Sequence, residues 1–229
     1  MHIYPLAFLL LIFQDLQADV GFAFDGDADR LVVVDENGNA IHGDKLLGKL
    51  ATFLQSQKRL TNHGVCVTVM SNQALEDYLS HSKIKTHRCD VGDKNVLEVL
   101  YREKIAFGGE QSGHIILSDF AKTGDALVAS LAVMNCLLTE KQSVSKLFNP
   151  FELYPQMLQN IKVDNKIPLD EIKGYAQLIE ELEAKKLRVL IRYSGTENLL
   201  RVLLEGKDEK ELEEGMEKAI KFFKSTLNE

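Results

Sequence analysis

Three acidic side chains, Asp25, Asp27 and Asp29, alternate with Gly26 and Ala28 and are followed at once by Arg30. On an extended chain such alternation points all three carboxylates to one side, and in a tight glycine-assisted loop it folds them around a point. In both geometries anionic oxygens crowd together and repel unless a positive charge sits among them, which suits a hard divalent cation. A plain polar turn would use the same residue types, but the flanking apolar Phe22, Phe24 and Leu31 to Val34 are more than such a turn needs. A helix-loop-helix calcium loop would take Asp25, Asp27, Asp29 and Glu36 in the right count. Its sixth position requires glycine, and here Arg30 is followed by the β-branched run Val32 to Val34. The spacing therefore predicts a magnesium site on a strand-loop-strand.

Two further loops carry polar groups in useful combinations. Gly108-Gly-Glu-Gln-Ser-Gly-His114 brings glycine backbone, the Glu110 carboxylate, the Gln111 amide, the Ser112 hydroxyl and the His114 imidazole together, a set suited to a polyol such as a sugar. A glycine-rich hairpin is the other reading. Arg192-Tyr-Ser-Gly-Thr-Glu-Asn198 supplies a guanidinium, hydroxyls and a glycine whose amide can join an anion-binding nest, with Arg201 just beyond. A polar hairpin turn is the alternative there. Lys94, in Val91-Gly-Asp-Lys-Asn95 between a strand and a helix, lies where ligands of open α/β sheets bind; a solvated lysine is the simpler account.

The elements expected to hold these loops follow from periodicity. A strand at 31–35 and a turn at 36–39 precede a helix over 45–57 capped by Gly43-Asp44, a strand at 65–70, a helix over 74–81, a strand at 84–88 and a helix over 95–103. A short strand at 105–107 leads into the second loop, and Asp25 onward this alternation predicts an α/β layered domain with a largely parallel sheet. Asp125 caps a helix to Leu138. The pattern shifts at Asn149-Pro150 to a small α+β unit: a strand at 159–163, a helix over 169–185, strands at 187–193 and 199–205, and a last helix opened by Asp208 and Glu211 as a capping box.

Composition sets the outer bounds. The 229 residues, 45% hydrophobic and 27% charged, have the balance of a soluble globular protein. A net charge of −7 and a pI near 5.5 argue against a nucleic-acid surface while leaving room for a local anion site. Cys66, Cys89 and Cys136 have no paired spacing for zinc or a disulfide framework, which predicts a reducing cytoplasm. The apolar run Leu6 to Phe13 lacks a basic lead and a cleavage site and is too short to span a bilayer, so a buried strand or helix is expected and no membrane partner.

Taken in order, Asp25-Gly-Asp-Ala-Asp-Arg30, Gly109-Glu-Gln-Ser-Gly-His114 and Arg192-Tyr-Ser-Gly-Thr-Glu-Asn198 resemble the metal-, sugar- and phosphate-binding loops of the α-D-phosphohexomutase superfamily. Val91-Gly-Asp93 and the Glu110-Gln-Ser-Gly-His114 form are most similar to its amino-sugar members, and the likeness runs from about Ala18 to the C-terminus. It implies that Asp25, Asp27 and Asp29 hold Mg²⁺ against a phosphoserine that Arg30 steadies. It implies that Glu110 and Ser112 hold sugar hydroxyls, and that Arg192, Ser194, Gly195, Thr196 and Asn198 grip the non-reacting phosphate of a hexosamine phosphate. Lys94 and His114 are acid/base candidates by placement.

Full members of that superfamily carry the donor serine upstream in a Thr-Ala-Ser-His-Asn-Pro-like motif, absent from this sequence, and have glycine where Ala126 stands. The resemblance thus implies an α/β chain made of a domain-two remnant with the metal loop (1–42), a layered α/β sugar-binding domain three (43–150) and a small α+β phosphate-binding domain four (151–229). It implies no mutase turnover by this chain alone, with the missing N-terminal part lost or supplied as a separate chain, or a non-catalytic sugar-phosphate and Mg²⁺ binding role. The choice between amino sugar, glucose and mannose rests on loop likeness alone.

Overall fold

The computed structural model describes residues 17–227, and the Leu6 to Phe13 run lies outside them. The described residues divide into two compact units between Glu152 and Leu153. The hairpin that carries the three acids falls in the first unit together with the α/β layer.

The first unit opens with β1 (Gly21–Phe24) and β2 (Leu31–Val34), antiparallel and in register from Gly21 opposite Val34 to Phe24 opposite Leu31. A helix, α1 (Gly43–Ser56), follows. Its cap is the ring of His42, whose Nδ1 accepts the Asp44 amide at 3.2 Å, so Gly43 and Asp44 lie inside the first turn and not before it. A four-stranded sheet has the order β4 (Lys85–Cys89), β3 (Gly64–Thr68), β5 (Phe107–Gly109), β6 (Ile115–Leu117). Its first three strands run parallel and β6 is antiparallel to β5, which makes the glycine-rich second loop a hairpin. The crossovers are α2 (Gln73–His81) and α3 (Asp93–Glu103).

All of β3 is buried, as befits a central parallel strand covered on both faces. One core gathers β2, α1, β3 and α4 (Ala126–Glu140), through Leu31, Leu47, Leu50, Val67, Ala129 and Val133. A second cluster of Cys66, Val96, Leu100 and Ile116 seals the α3 face. Within it the Cys66 and Cys89 sulfurs lie 3.7 Å apart as free thiols.

The second unit is an antiparallel sheet in the order β7 (Gln156–Lys162), β9 (Leu199–Glu205), β8 (Arg188–Tyr193). Against it pack α6 (Tyr175–Ala184) and α7 (Glu209–Leu227), with α5 (Val144–Leu147) belonging to the first unit. The helix expected from 169 to 185 is interrupted. Leu169–Glu171 forms a 3-10 turn, and Gly174 at φ 87° takes the left-handed backbone that opens α6. In α7 the Asp208 carboxylate accepts the amides of Lys210 and Glu211 at 3.0 and 3.1 Å. The reciprocal arm of the expected box is diverted, because Glu211 pairs with Lys185 instead. Among the described residues no helix is long and apolar enough to cross a membrane.

Candidate active site

The acidic segment folds into a tight loop and does not stay extended. Asp25 Oδ1 accepts the amides of Asp29 and Arg30 at 3.2 and 3.1 Å, and its carbonyl accepts that of Ala28 at 3.2 Å. Ala28 adopts φ 56°, left-handed backbone for a residue with a Cβ, and is held there by its carbonyl, which accepts the Ala126 amide at the start of α4 at 3.0 Å. One carboxylate oxygen from each of Asp25, Asp27 and Asp29 falls within 4.8 Å of the other two. Glu36, the fourth member of a calcium-loop count, is committed elsewhere: its carboxylate accepts the Ser145 amide at 3.1 Å and the Ser145 hydroxyl.

Charge inside the loop is unbalanced. Burial pushes the Asp29 carboxyl up, and hydrogen bonding to Asp25 and repulsion from Asp25 and Asp27 push it further, against a weaker pull from His114. Burial also acts upward on Asp25, but the Arg30 amide, the Asp29 side chain and amide and the Arg30 charge outweigh it and leave Asp25 below its ordinary value. Arg30 lies 3.9 Å from Asp25 and 3.8 Å from Asp29, half exposed, so solvent screens most of its effect. Three oxygen donors, one of them held above its usual pKa by its neighbours, fit a hard divalent cation such as Mg²⁺.

The second loop is stitched to the first. Leu31 donates its amide to the Gly113 carbonyl at 2.9 Å, and Arg30 bridges to His114. Gly113 has φ 94°, and a Cβ there would stand 2.2 Å from the Leu31 carbonyl oxygen, so only glycine permits this approach. His114 is 3% exposed, with Nδ1 at 3.3 Å from Asp29 Oδ2 and, among the described residues, no partner for Nε2. Glu110 accepts the Gly92 amide on Oε1 at 3.0 Å, while the exposed Ser112 hydroxyl lies 3.5 Å from its Oε2. Lys94 is exposed in the first turn of α3, its amide donating to the Asp93 carboxylate. The metal and sugar candidates thus share one site built on β2, β5, β6 and the ends of α3 and α4. Its Gly92–Glu110 tie and the Gly124 backbone behind His114 were not apparent from sequence spacing; the Gly-Asp following a strand was the available signal for the first.

The third loop joins β8 to β9 in the second unit. Ser194 donates its amide to the Leu199 carbonyl at 2.8 Å, and Val163 donates to Asn198 at 3.1 Å. Ser194 is buried, while Gly195, Thr196 and Asn198 are exposed. Arg192 and Arg201 are register partners, an arrangement of like charge that favours an anion between or beside them. Arg201 is partly matched by Glu197 at 3.3 Å; among the described residues Arg192 has no ion pair.

Two domain models match this chain: the phosphoglucomutase/phosphomannomutase α/β/α domain III over residues 42–154 and the C-terminal domain of the same family over residues 158–221. The chain belongs to the phosphoglucomutase/phosphomannomutase family. The phosphoglucosamine mutase of Campylobacter fetus subsp. fetus is 55% identical over 214 residues, 93% of this chain and 48% of its own length. That of Sulfurovum sp. is 51% identical over 227 residues, 99% of this chain and 50% of its own, so its likeness extends into the stretch before Ala18. The chain spans about half the length of the curated relatives it matches.

Among solved phosphohexomutases, a family protein of Burkholderia thailandensis superposes with a TM-score of 0.75 at 20% identity, covering 98% of this chain and 50% of that one. The Aspergillus fumigatus N-acetylphosphoglucosamine mutase in complex with GlcNAc-6P and magnesium gives 0.71 at 20% identity, over 89% and 48%. These likenesses establish the fold.

Proposed function

We propose that this chain contributes the metal, sugar and phosphate sites of a phosphoglucosamine mutase, which interconverts glucosamine 6-phosphate and glucosamine 1-phosphate through a phosphoserine and a bisphosphate in the cytoplasm. The observation that carries the reading is the three-carboxylate loop tied through Leu31–Gly113 and Asp29–His114 to the Glu110 loop. Relatives at 51–55% identity over nearly the whole chain bear that name, which favours the amino sugar over glucose or mannose.

In this reading Asp25, Asp27 and Asp29 hold Mg²⁺, which when bound neutralises charge on the transferring phosphoryl group. Arg30 steadies the phosphoserine. Glu110 accepts hydrogen bonds from sugar hydroxyls with an oxygen already oriented by Gly92, and Ser112 can donate or accept beside it. His114, buried against Asp29, and Lys94 are the groups available to take or return the hydroxyl proton. Arg192, Ser194, Gly195, Thr196 and Asn198 grip the phosphate that does not react.

Isothermal calorimetry of the purified chain with glucosamine 6-phosphate and Mg²⁺ tests the binding half. Arg192→Ala should weaken the sugar phosphate by about 1.5–3 kcal/mol, the size of a charge-assisted contact. Unchanged affinity would remove the phosphate assignment. Conversion assayed with a catalytic bisphosphate should be undetectable for this chain alone and appear when the N-terminal half of the Campylobacter fetus relative is added; turnover by the chain alone would show that the donor serine is not needed.

A further inference from the structure

We infer that Lys166 is a positioning residue for the phosphate loop, acting through the Ser194–Gly195 peptide and not by touching the ligand; the inference rests on the phosphate-binding reading of that loop. Lys166 Nζ donates to the Ser194 carbonyl at 2.7 Å. The next residue is tethered as well, since Tyr193 Oη donates to the Ile167 carbonyl at 2.7 Å. Residues 166 and 167 therefore clamp the start of the loop from one side, while Ser194 is held on the other by its N–H, which donates to the Leu199 carbonyl.

The chemistry follows from the peptide itself. No cis bond occurs among the described residues, and in a planar trans peptide the C=O and the following N–H point in opposite directions. Holding the Ser194 carbonyl against the ammonium turns the Gly195 N–H the other way. Gly195 is exposed, a Cβ built on it would meet nothing within 4 Å, and among the described residues no acceptor occupies its amide, which leaves that N–H free for a ligand. A positive charge on the carbonyl also polarises the peptide and makes its N–H a stronger donor. The result is an amide aimed and sharpened for an anion of the phosphate monoester class, with the fixed loop of Arg192 beside it. A lysine suits this role because a compact ammonium reaches a single carbonyl.

The test uses inorganic phosphate and glucosamine 6-phosphate on the full chain, with calorimetry and the amide resonance of Gly195 as readouts. Lys166 is exposed, so Lys166→Met leaves the core intact. Phosphate affinity should fall about three- to tenfold in Lys166→Met, the range for a charge-assisted bond discounted for solvent. Lys166→Arg should recover it to within about twofold, since the charge and a donor return. The downfield shift of the Gly195 amide proton on phosphate addition should persist in wild type and Lys166→Arg and shrink in Lys166→Met. Tyr193→Phe removes the neighbouring tether without removing charge and should keep that shift. Equal affinity losses in Lys166→Met and Tyr193→Phe with an unaltered Gly195 signal would overturn the proposal in favour of simple bracing. A wild-type chain that binds no phosphate would defeat the loop assignment itself; binding that Arg192→Ala abolishes but Lys166→Met leaves intact would defeat only the role of Lys166.

Discussion

At the level of single residues the site depends on positions where a side chain is absent. A Cβ on Gly124 would stand 2.3 Å from His114 Cε1 and 2.4 Å from Nε2, so the ring would have to leave its place against Asp29. Gly124→Ala should therefore cost about 1–3 kcal/mol, as overpacking of a filled site does, and should also weaken Mg²⁺ binding by freeing Asp29. Gly26→Ala, where nothing lies within 4 Å, is the matched control and should leave the denaturation midpoint unchanged. Chemical denaturation and a Mg²⁺ titration of both variants decide the matter, and equal effects would mean that His114 does not organise the loop. The acids themselves were legible because like charge at alternate positions has few other uses. His114 next to Asp29 was not, because its position depends on a hairpin register and on Gly124, neither of which leaves a pattern in spacing.

At the level of elements, caps and breaks decide how the loops are presented. Asp125 accepts the Val128 amide at 2.9 Å as the cap of α4, and the next amide, Ala126, holds the Ala28 carbonyl in the acidic loop. Asp125→Ala should lower stability by about 0.5–2 kcal/mol, the usual cost of an N-cap, and should weaken Mg²⁺ binding because the anchor of Ala28 loosens. Asp208→Ala at α7 should cost a similar amount and leave Mg²⁺ affinity alone; if Asp125→Ala also left it alone, α4 would be only a support. Both caps were readable from their side chains. The hairpin of β5 and β6 was not fully so, since Gly108 and Gly109 carry no strand signal yet pair in register with Ile116 and Ile115. The long helix expected before Leu187 failed at Gly174, where the left-handed backbone outweighs a continuous apolar period.

At the level of the whole molecule, each unit has a core drawn from its own residues: Leu31 to Phe148 with the α3 cluster in the first, Ile161 to Leu227 in the second. The units divide between Glu152 and Leu153, where a mostly parallel sheet gives way to an antiparallel one and the pattern of alternating residues changes with it. The second unit carries the loop proposed to bind phosphate and the first carries the three acids, so their ligands should act on different cores. A ligand that binds only the folded form adds RT ln(1 + [L]/Kd), about 2.7 kcal/mol at a hundredfold excess over Kd. Hydrogen exchange in saturating Mg²⁺ should accordingly slow the most protected amides of β3 roughly a hundredfold while leaving those of β9 unchanged, and inorganic phosphate should do the reverse. If Mg²⁺ slowed β9 as strongly as β3, the two cores would unfold as one body and the metal would stabilise the phosphate loop through that shared transition. In that case the Arg192→Ala and Asp27→Asn substitutions should be non-additive for sugar-phosphate binding, whereas separate cores predict that their effects on this chain simply sum.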